Sequence, residues 1–388
     1  MSNYFWPLMK DTITEEDKLK MIEFISSTDR FTNGKQCKEF ETQWSQWLGS
    51  QHSLFVSSGS TANFLLLAAV KELYDLQDGD KVVVPACTWM TNVAPCIQLG
   101  LEPIFCDISL ETFALEIHSL RQIARDHNIK LCFVTHLLGL RAPMEKYKEI
   151  LPNTLFIEDI CESHGITNTD GVRQGGDSLG ATFSFYFGHH MTTIEGGMVS
   201  TNNTDLYDLM RMKRSHGMAR ESQKYDEYKK QELEIDPQFL FMTDGYNFRS
   251  SELNAVLGIN QLKRLDESIK IRKKNYRKFL EILPEDKFYI PARQVIENSS
   301  FCLPLITKRL DDRNKLKTAL ERDGIETRPV IGGNLLKQPF LRDREYTFVS
   351  SYRYANVDIV HNHGCYVGNN HLIGNQELEM LQQVLEEL

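Results

Sequence analysis

Short apolar runs of strand type recur through the first two-thirds of the chain. They are Ser53-Leu54-Phe55-Val56, Lys81-Val82-Val83-Val84, Glu102-Pro103-Ile104-Phe105, Leu131-Cys132-Phe133-Val134-Thr135, Leu155-Phe156-Ile157-Glu158 and Ala181-Thr182-Phe183-Ser184. Each has the length and side-chain type of a buried strand. Helical patterns lie between several of them, as at Thr61 to Leu73 and Ile117 to Ile129. This alternation predicts an α/β fold with a mostly parallel sheet covered on both faces. Ligands in such sheets gather beyond the carboxyl ends of the strands.

After about Leu240 the pattern changes. Ser250 to Tyr276 reads as one long helix, with Leu253, Val256, Leu257, Ile259 and Leu262 on or near one stripe. It divides the chain into residues 1–250, an N-terminal segment and large domain, and residues 251–388, a linking helix and smaller C-terminal domain. Pro284, Pro291 and Pro304 punctuate loops in the second part.

Composition adds exclusions. With 44 basic and 53 acidic residues in 388, the formal net charge is −9, which argues against nucleic acid or an anionic membrane as a bulk partner. The first twenty residues are broken by Asp11, Glu15, Glu16 and Asp17, and no apolar run approaches a membrane span. A cytoplasmic setting is the expectation. Eight cysteines occur without a C-x-x-C pair, and several lie in strand-like runs, so they read as buried reduced thiols.

Candidate chemistry clusters at the strand ends. Ser57-Ser58-Gly59-Ser60-Thr61-Ala62-Asn63 follows a strand and opens a helix. Backbone N–H groups and hydroxyls there make a phosphate seat, or a plain N-cap with a tight turn. Trp89, after the next strand, either stacks on an aromatic ring or fills core. Glu158-Asp159 ends another strand, with Glu162 and His164 just beyond. A carboxylate there can face a pyridinium nitrogen, or Asp159 can cap a helix. His164 reads as a packed histidine, and the Asp/Glu/His spacing fits no familiar metal-ligand pattern, so no metal is expected.

In order, these motifs resemble the DegT/DnrJ/EryC1/StrS family of sugar aminotransferases. The supporting stretches are Ser57 to Asn63, Glu158-Asp159 with His164-Gly165, Phe183-Ser184-Phe185 with Glu195-Gly196-Gly197, and Gly245-Tyr246-Asn247-Phe248-Arg249. The resemblance implies the fold-type I, aspartate aminotransferase-like architecture, with a mostly parallel seven-stranded sheet and a smaller C-terminal α/β domain. It implies pyridoxal 5′-phosphate and pyridoxamine 5′-phosphate as cofactor forms. By position, Gly59, Ser60 and Ser184 would contact the cofactor phosphate, Trp89 would stack on the ring, Asp159 would pair with its nitrogen, and Glu162 would lie near its phenolic oxygen. Asn247 would reach the phosphate of a partner subunit, implying a homodimer with shared sites. His216, Arg220, Glu326 and Arg328 would bind substrate.

One departure stands out. Members of the family carry a lysine six residues before Glu-Gly-Gly, where it holds the cofactor covalently; here that position is His189. Imidazole cannot make that bond but can shuttle a proton near neutral pH. Gly188-His189-His190 is similar to the Ser-His-His of a dehydratase branch of the family, and alignment on Thr192-Thr193-Ile194-Glu195 puts His189 rather than His190 on the lysine. That branch implies C3 dehydration of a GDP-linked 4-keto-6-deoxy sugar, hexose or heptose. L-glutamate supplies the amino group, and ammonia and a 3-deoxy-4-keto nucleotide sugar are released. A second dehydratase branch uses a [2Fe-2S] cluster and a reductase partner. Its cluster cysteines lie downstream of the histidine, and this chain has none between Cys161 and Cys302, so no such partner is expected. The alternatives are a nucleotide-sugar aminotransferase using a displaced lysine, although no lysine lies between Lys148 and Lys213, or a non-catalytic cofactor-binding member.

Histidine in place of lysine predicts a cofactor that is never covalently attached. After borohydride treatment of the loaded protein, peptide mass analysis should find no pyridoxyl-lysine in the active-site peptide; finding one there refutes the alignment.

Overall fold

The computed structural model describes residues 4–176, 178–232, 234–342 and 353–388. Seven strands form the first sheet: β1 (His52–Val56), β2 (Lys81–Pro85), β3 (Glu102–Cys106), β4 (Ile129–Thr135), β5 (Leu155–Asp159), β6 (Gly180–Ser184) and β7 (Gly197–Thr201). Their spatial order is β1-β7-β6-β5-β4-β2-β3, with β7 antiparallel to both neighbours and the pairs from β6 to β3 parallel. The parallel strands are buried on both faces. Val82, Val84, Leu131 and Phe133 join one core cluster, while the alternating Val83, Cys132 and Val134 join another. That is why these runs read as continuously apolar.

A second sheet, in the order β10-β11-β9-β8, comprises β8 (Phe288–Tyr289), β9 (Cys302–Thr307), β10 (Thr327–Arg328) and β11 (Gly364–Gly368). Its buried side chains, among them Leu303, Leu305 and Val367, continue the larger cluster of the first sheet. Among the described residues no helix is long and apolar enough to cross a membrane. All eight cysteines are free, and seven are buried.

The six expected strands are present, and the structure adds β7. Its sequence, Gly-Met-Val-Ser-Thr, opens on glycine and is short on large apolar residues, yet every position is buried. Three other expectations are corrected. The helix from Ile117 stops at Asp126, and Ile129 already begins β4. The long helix is two, Glu252–Leu262 and Leu265–Ile282. Asp17 gathers the break: its carboxylate accepts from Asn260 Nδ2 (2.7 Å), Gln261 Nε2 (2.9 Å) and Arg264 Nη2 (2.7 Å). Pro304 lies within β9 rather than in a loop, opposite Tyr366. β8 pairs only with Ile306 and Thr307, so no ladder bond on that side needs the N–H that Pro304 lacks.

The Glu-Gly-Gly turn into β7 has a steric cause. A Cβ on Gly197 would lie 2.3 Å from the Ser58 carbonyl oxygen and 2.7 Å from Gly59 N. Only glycine lets this strand press against the turn that opens the Gly59–Leu73 helix. Gly197→Ala should therefore cost about 1–3 kcal/mol, the usual price of overpacking. Equilibrium denaturation in urea measures it, and a change below about 0.5 kcal/mol, the range of neutral surface substitutions, contradicts the packing argument.

Candidate active site

A cavity of about 420 Å³ opens at the carboxyl ends of β2, β4, β5 and β6. Its lining includes Gly59, Ser60, Trp89, Asp159, Glu162, Ser184, His189 and Arg328. Sequence positions far apart thus meet because each ends a strand, follows a strand end within five residues, or opens the helix after one.

At one end, Ser58 caps the Gly59–Leu73 helix. Its hydroxyl accepts from Thr61 N, and Thr61 Oγ1 accepts from Ser58 N, closing a capping box. Among the described residues the N–H groups of Gly59 and Ser60 have no hydrogen-bond acceptor. They are the unpaired donors of a helix start, beside the Ser60 and Ser184 hydroxyls. A Cβ on Gly59 would fall 2.5 Å from Ser184 Cβ, so glycine is required for that approach.

The floor is Asp159, 4% exposed. Its Oδ2 accepts from Asn63 Nδ2 and Asn92 Nδ2, both at 2.8 Å, and its Oδ1 accepts from Cys161 N at 2.9 Å. No helix starts there, so Asp159 caps a turn and not a helix. Glu162 accepts from Leu138 N at 2.9 Å. Burial pushes its pKa up to about 7, with the Asp159 carboxylate adding to the rise and the Leu138 N–H opposing it. Trp89 sits at the rim, 57% exposed, and is no core residue.

His189 stands on the wall. Its Nδ1 lies 3.0 Å from the Ser184 carbonyl oxygen. A carbonyl only accepts, so Nδ1 carries the proton and Nε2 keeps its lone pair. Among the described residues Nε2 has no hydrogen-bond partner. Burial pushes the pKa down to about 4, so the imidazole is neutral. The Phe301 ring stands edge-on to it, centroids 5.5 Å apart. His190 turns the other way: it is buried, its Nε2 meets the Ser299 carbonyl oxygen at 2.9 Å, and it does not line the cavity. His164 is buried among Trp44, Phe183 and Phe185.

Four of the expected site residues lie elsewhere. His216, Arg220 and Asn247 are exposed and line no part of this cavity. Ser215 bridges Asn247, and His216 N donates to the Tyr246 carbonyl, so the two segments form one surface edge. Glu326 lines no part of it either; its carboxylate accepts from Leu8 N at 3.0 Å. The cavity also includes residues that the sequence did not single out, chiefly Leu8, Met9, Asn92's neighbour Thr91, Phe301 and Tyr366. Leu8 and Met9 precede the first helix and carry no motif, so only the tertiary path brings them here.

The model of the DegT/DnrJ/EryC1/StrS aminotransferase family matches residues 12–366. The chain belongs to this family. Among its relatives, a GDP-4-keto-6-deoxy-D-mannose 3-dehydratase of Escherichia coli O55:H7 is 32% identical, covering 100% of both chains. Another from Yersinia pseudotuberculosis is also 32% identical, covering 98% of each. A solved E. coli GDP-4-keto-6-deoxy-D-mannose 3-dehydratase with bound hydrated PLP (pyridoxal phosphate) superposes with a TM-score of 0.90 at 31% identity, over 98% of this chain and 99% of that one. The aminotransferase fold extends further: Helicobacter pylori PseC matches with a TM-score of 0.82 at 18% identity. No lysine lines the cavity of this family member among the described residues.

The geometry predicts a neutral His189 in the Nδ1–H tautomer at pH 6–8. Nitrogen-15 NMR of histidine-labelled protein should show protonated Nδ1 and bare Nε2, with no cation forming until pH nears 4. The linkage follows. His189 binds its proton below 6.5 when unfolded but only near 4 when folded, so its stabilising contribution is full above pH 6.5 and is lost as pH falls toward about 4. His164 and His190, also lowered by burial, act in the same direction. Glu162 acts oppositely, its contribution being full below 4.5 and lost as pH rises through about 7. The Glu162→Gln protein should therefore show a steeper fall in melting temperature on acidification than the native chain. An equal or shallower fall contradicts the assigned shifts.

Proposed function

We propose that the protein is a pyridoxal phosphate-dependent lyase, a C3-dehydratase of a GDP-linked 4-keto-6-deoxy hexose or heptose. L-glutamate loads the amino group, and ammonia and a 3-deoxy-4-keto nucleotide sugar are released. The observation that carries this reading is His189, with a bare Nε2 at the cavity position where an aminotransferase needs lysine.

The cavity's donor set fits the cofactor. The unpaired Gly59 and Ser60 N–H groups and the Ser60 and Ser184 hydroxyls suit a phosphate. Asp159, held by three neutral donors, suits a protonated ring nitrogen. Trp89 at the rim suits the ring face, and Glu162 suits the ring oxygen. When bound, the cofactor supplies an amine for the sugar ketone and a ring that accepts electrons. His189 Nε2 would take a proton from the cofactor's C4′ and, once cationic, would give it to the departing C3 hydroxyl. Its Nδ1–H bond to Ser184 fixes which nitrogen acts. Arg328, the cavity's cation, suits the carboxylate of glutamate or the anionic substrate. A lysine at position 189 would protonate the sugar carbon and release an amino sugar. Its absence suppresses transamination as the final outcome.

We also read the enzyme as a homodimer. Asn247, His216 and Arg220 are exposed and line no part of their own cavity, which supports a reading in which they complete a partner's site. Exposed Trp89, Met90, Phe239 and Phe241 offer apolar surface for such contact. Free buried cysteines and a nucleotide-sugar substrate suit the cytoplasm, in sugar biosynthesis for surface polysaccharide.

Incubation with GDP-4-keto-6-deoxymannose and glutamate, followed by mass analysis, should show a sugar lighter by one oxygen, its C3–OH replaced by C3–H, with glutamate converted to 2-oxoglutarate and ammonia. An amino sugar as sole product would overturn the assignment. His189→Asn should lose roughly 10²–10⁴-fold in rate, the usual worth of a positioned proton-transfer group, while still taking up cofactor. Near-native activity in that variant, with loss in His190→Asn, would move the base to His190. Sedimentation should give a dimer, and Asn247→Ala should retain less cofactor after dialysis. A fully active monomer at micromolar concentration contradicts the shared site.

A further inference from the structure

The N-terminal strap builds one wall of the cavity. Trp6 pairs in parallel with Ile325: its N donates to the Gly324 carbonyl at 3.1 Å, and Glu326 N donates to the Trp6 carbonyl at 2.9 Å. The indole Nε1 donates to the Gly368 carbonyl at 3.1 Å. One turn further, Leu8 N donates to Glu326 at 3.0 Å, and a Cβ on Gly368 would lie 2.4 Å from the Leu8 carbonyl oxygen. The strap is therefore a fixed wall and not a loose end.

Its two cavity side chains, Leu8 and Met9, are apolar. Met9 reaches the residue before the base. A Cβ on Gly188, the residue before His189, would sit 1.9 Å from Met9 Sδ, so the thioether occupies the space that any side chain at position 188 would take. Phe301 also flanks His189, but it packs edge-on against the imidazole, and its carbonyl accepts from Arg272 at 3.2 Å. Met9 is only partly buried and turns its remaining surface to the cavity.

The proposed reaction brings the sugar's C4 to the cofactor beside His189. Whatever lies against Met9 therefore belongs to the sugar's reacting end and not to its nucleotide. C2 and C3 carry hydroxyls and C4 an oxygen, all of which need hydrogen-bond partners that Leu8 and Met9 side chains do not offer. The 6-methyl group of a 6-deoxy hexose, or the C6 methylene of a 6-deoxy heptose, is the apolar part of that end. We propose that the Leu8–Met9 strap is the surface that recognises the 6-deoxy end of the sugar, with Met9 as the specificity-determining residue against a 6-hydroxyl. This rests on the function proposed above.

The test uses two unreactive probes that differ in one oxygen, GDP-mannose and GDP-6-deoxymannose, titrated calorimetrically into cofactor-loaded enzyme. The native protein should favour the 6-deoxy sugar by roughly 10- to 100-fold, the range in which an apolar pocket rejects an added hydroxyl. Met9→Gln, close in size but able to pair a hydroxyl, should bring the two affinities within about 3-fold of each other, while Met9→Leu keeps the preference. Equal affinities in the native protein, an unchanged ratio in Met9→Gln, or equal losses in both variants each overturn the proposal. Turnover of GDP-4-keto-6-deoxymannose by the native enzyme is measured in parallel. Discrimination that depends on Met9 without turnover leaves the strap standing and removes the dehydratase reading. Turnover without discrimination does the reverse.

Discussion

Asp159 Oδ2 holds two amide donors at 2.8 Å, one from the Gly59–Leu73 helix and one from the loop after β2. A nearly buried carboxyl group is costly unless donors surround it. Asn63, Asn92 and the Cys161 amide do so, and in doing so they tie β5, the helix and the β2 loop to one point. Thr182 Oγ1 donates to Asn63 Oδ1 and orients that amide, which extends the tie to β6. The Gly59–Leu73 helix, the floor of the cavity and the strand that leads to His189 are thereby referred to a common origin. Displacing Asp159 would loosen all three.

Much of this was legible in the sequence, because the responsible forces are local. Buried parallel strands announce themselves as apolar runs, and strand ends carry their motif with them. The helix start at Ser58 is written in its own capping residues. His189 was legible as a departure from a family pattern, but its protonated nitrogen was not. That depends on the Ser184 carbonyl, a backbone group that no residue identity reveals.

What remained hidden is tertiary. β7 is a strand because Val56 and Ser184 flank it, not because its residues favour extension. The break at Lys263 follows from Asp17, about 250 positions away in the chain. Leu8 and Met9 lie in the cavity through bonds to residues 324–368. Glu326 shows a second constraint of this kind: one oxygen of its carboxylate accepts from the strap's backbone at Leu8, a contact that no residue identity reveals.

That strap also has a bearing on biosynthesis. Trp6 is synthesised 362 positions before Gly368, whose carbonyl receives its indole. The cavity wall therefore cannot close until β11 has been made. Segments made early can fold during synthesis, but this pocket acquires its final shape only once β11 has joined it. A nascent chain stalled before β11 would hold a partly formed second sheet and a cavity with an open side.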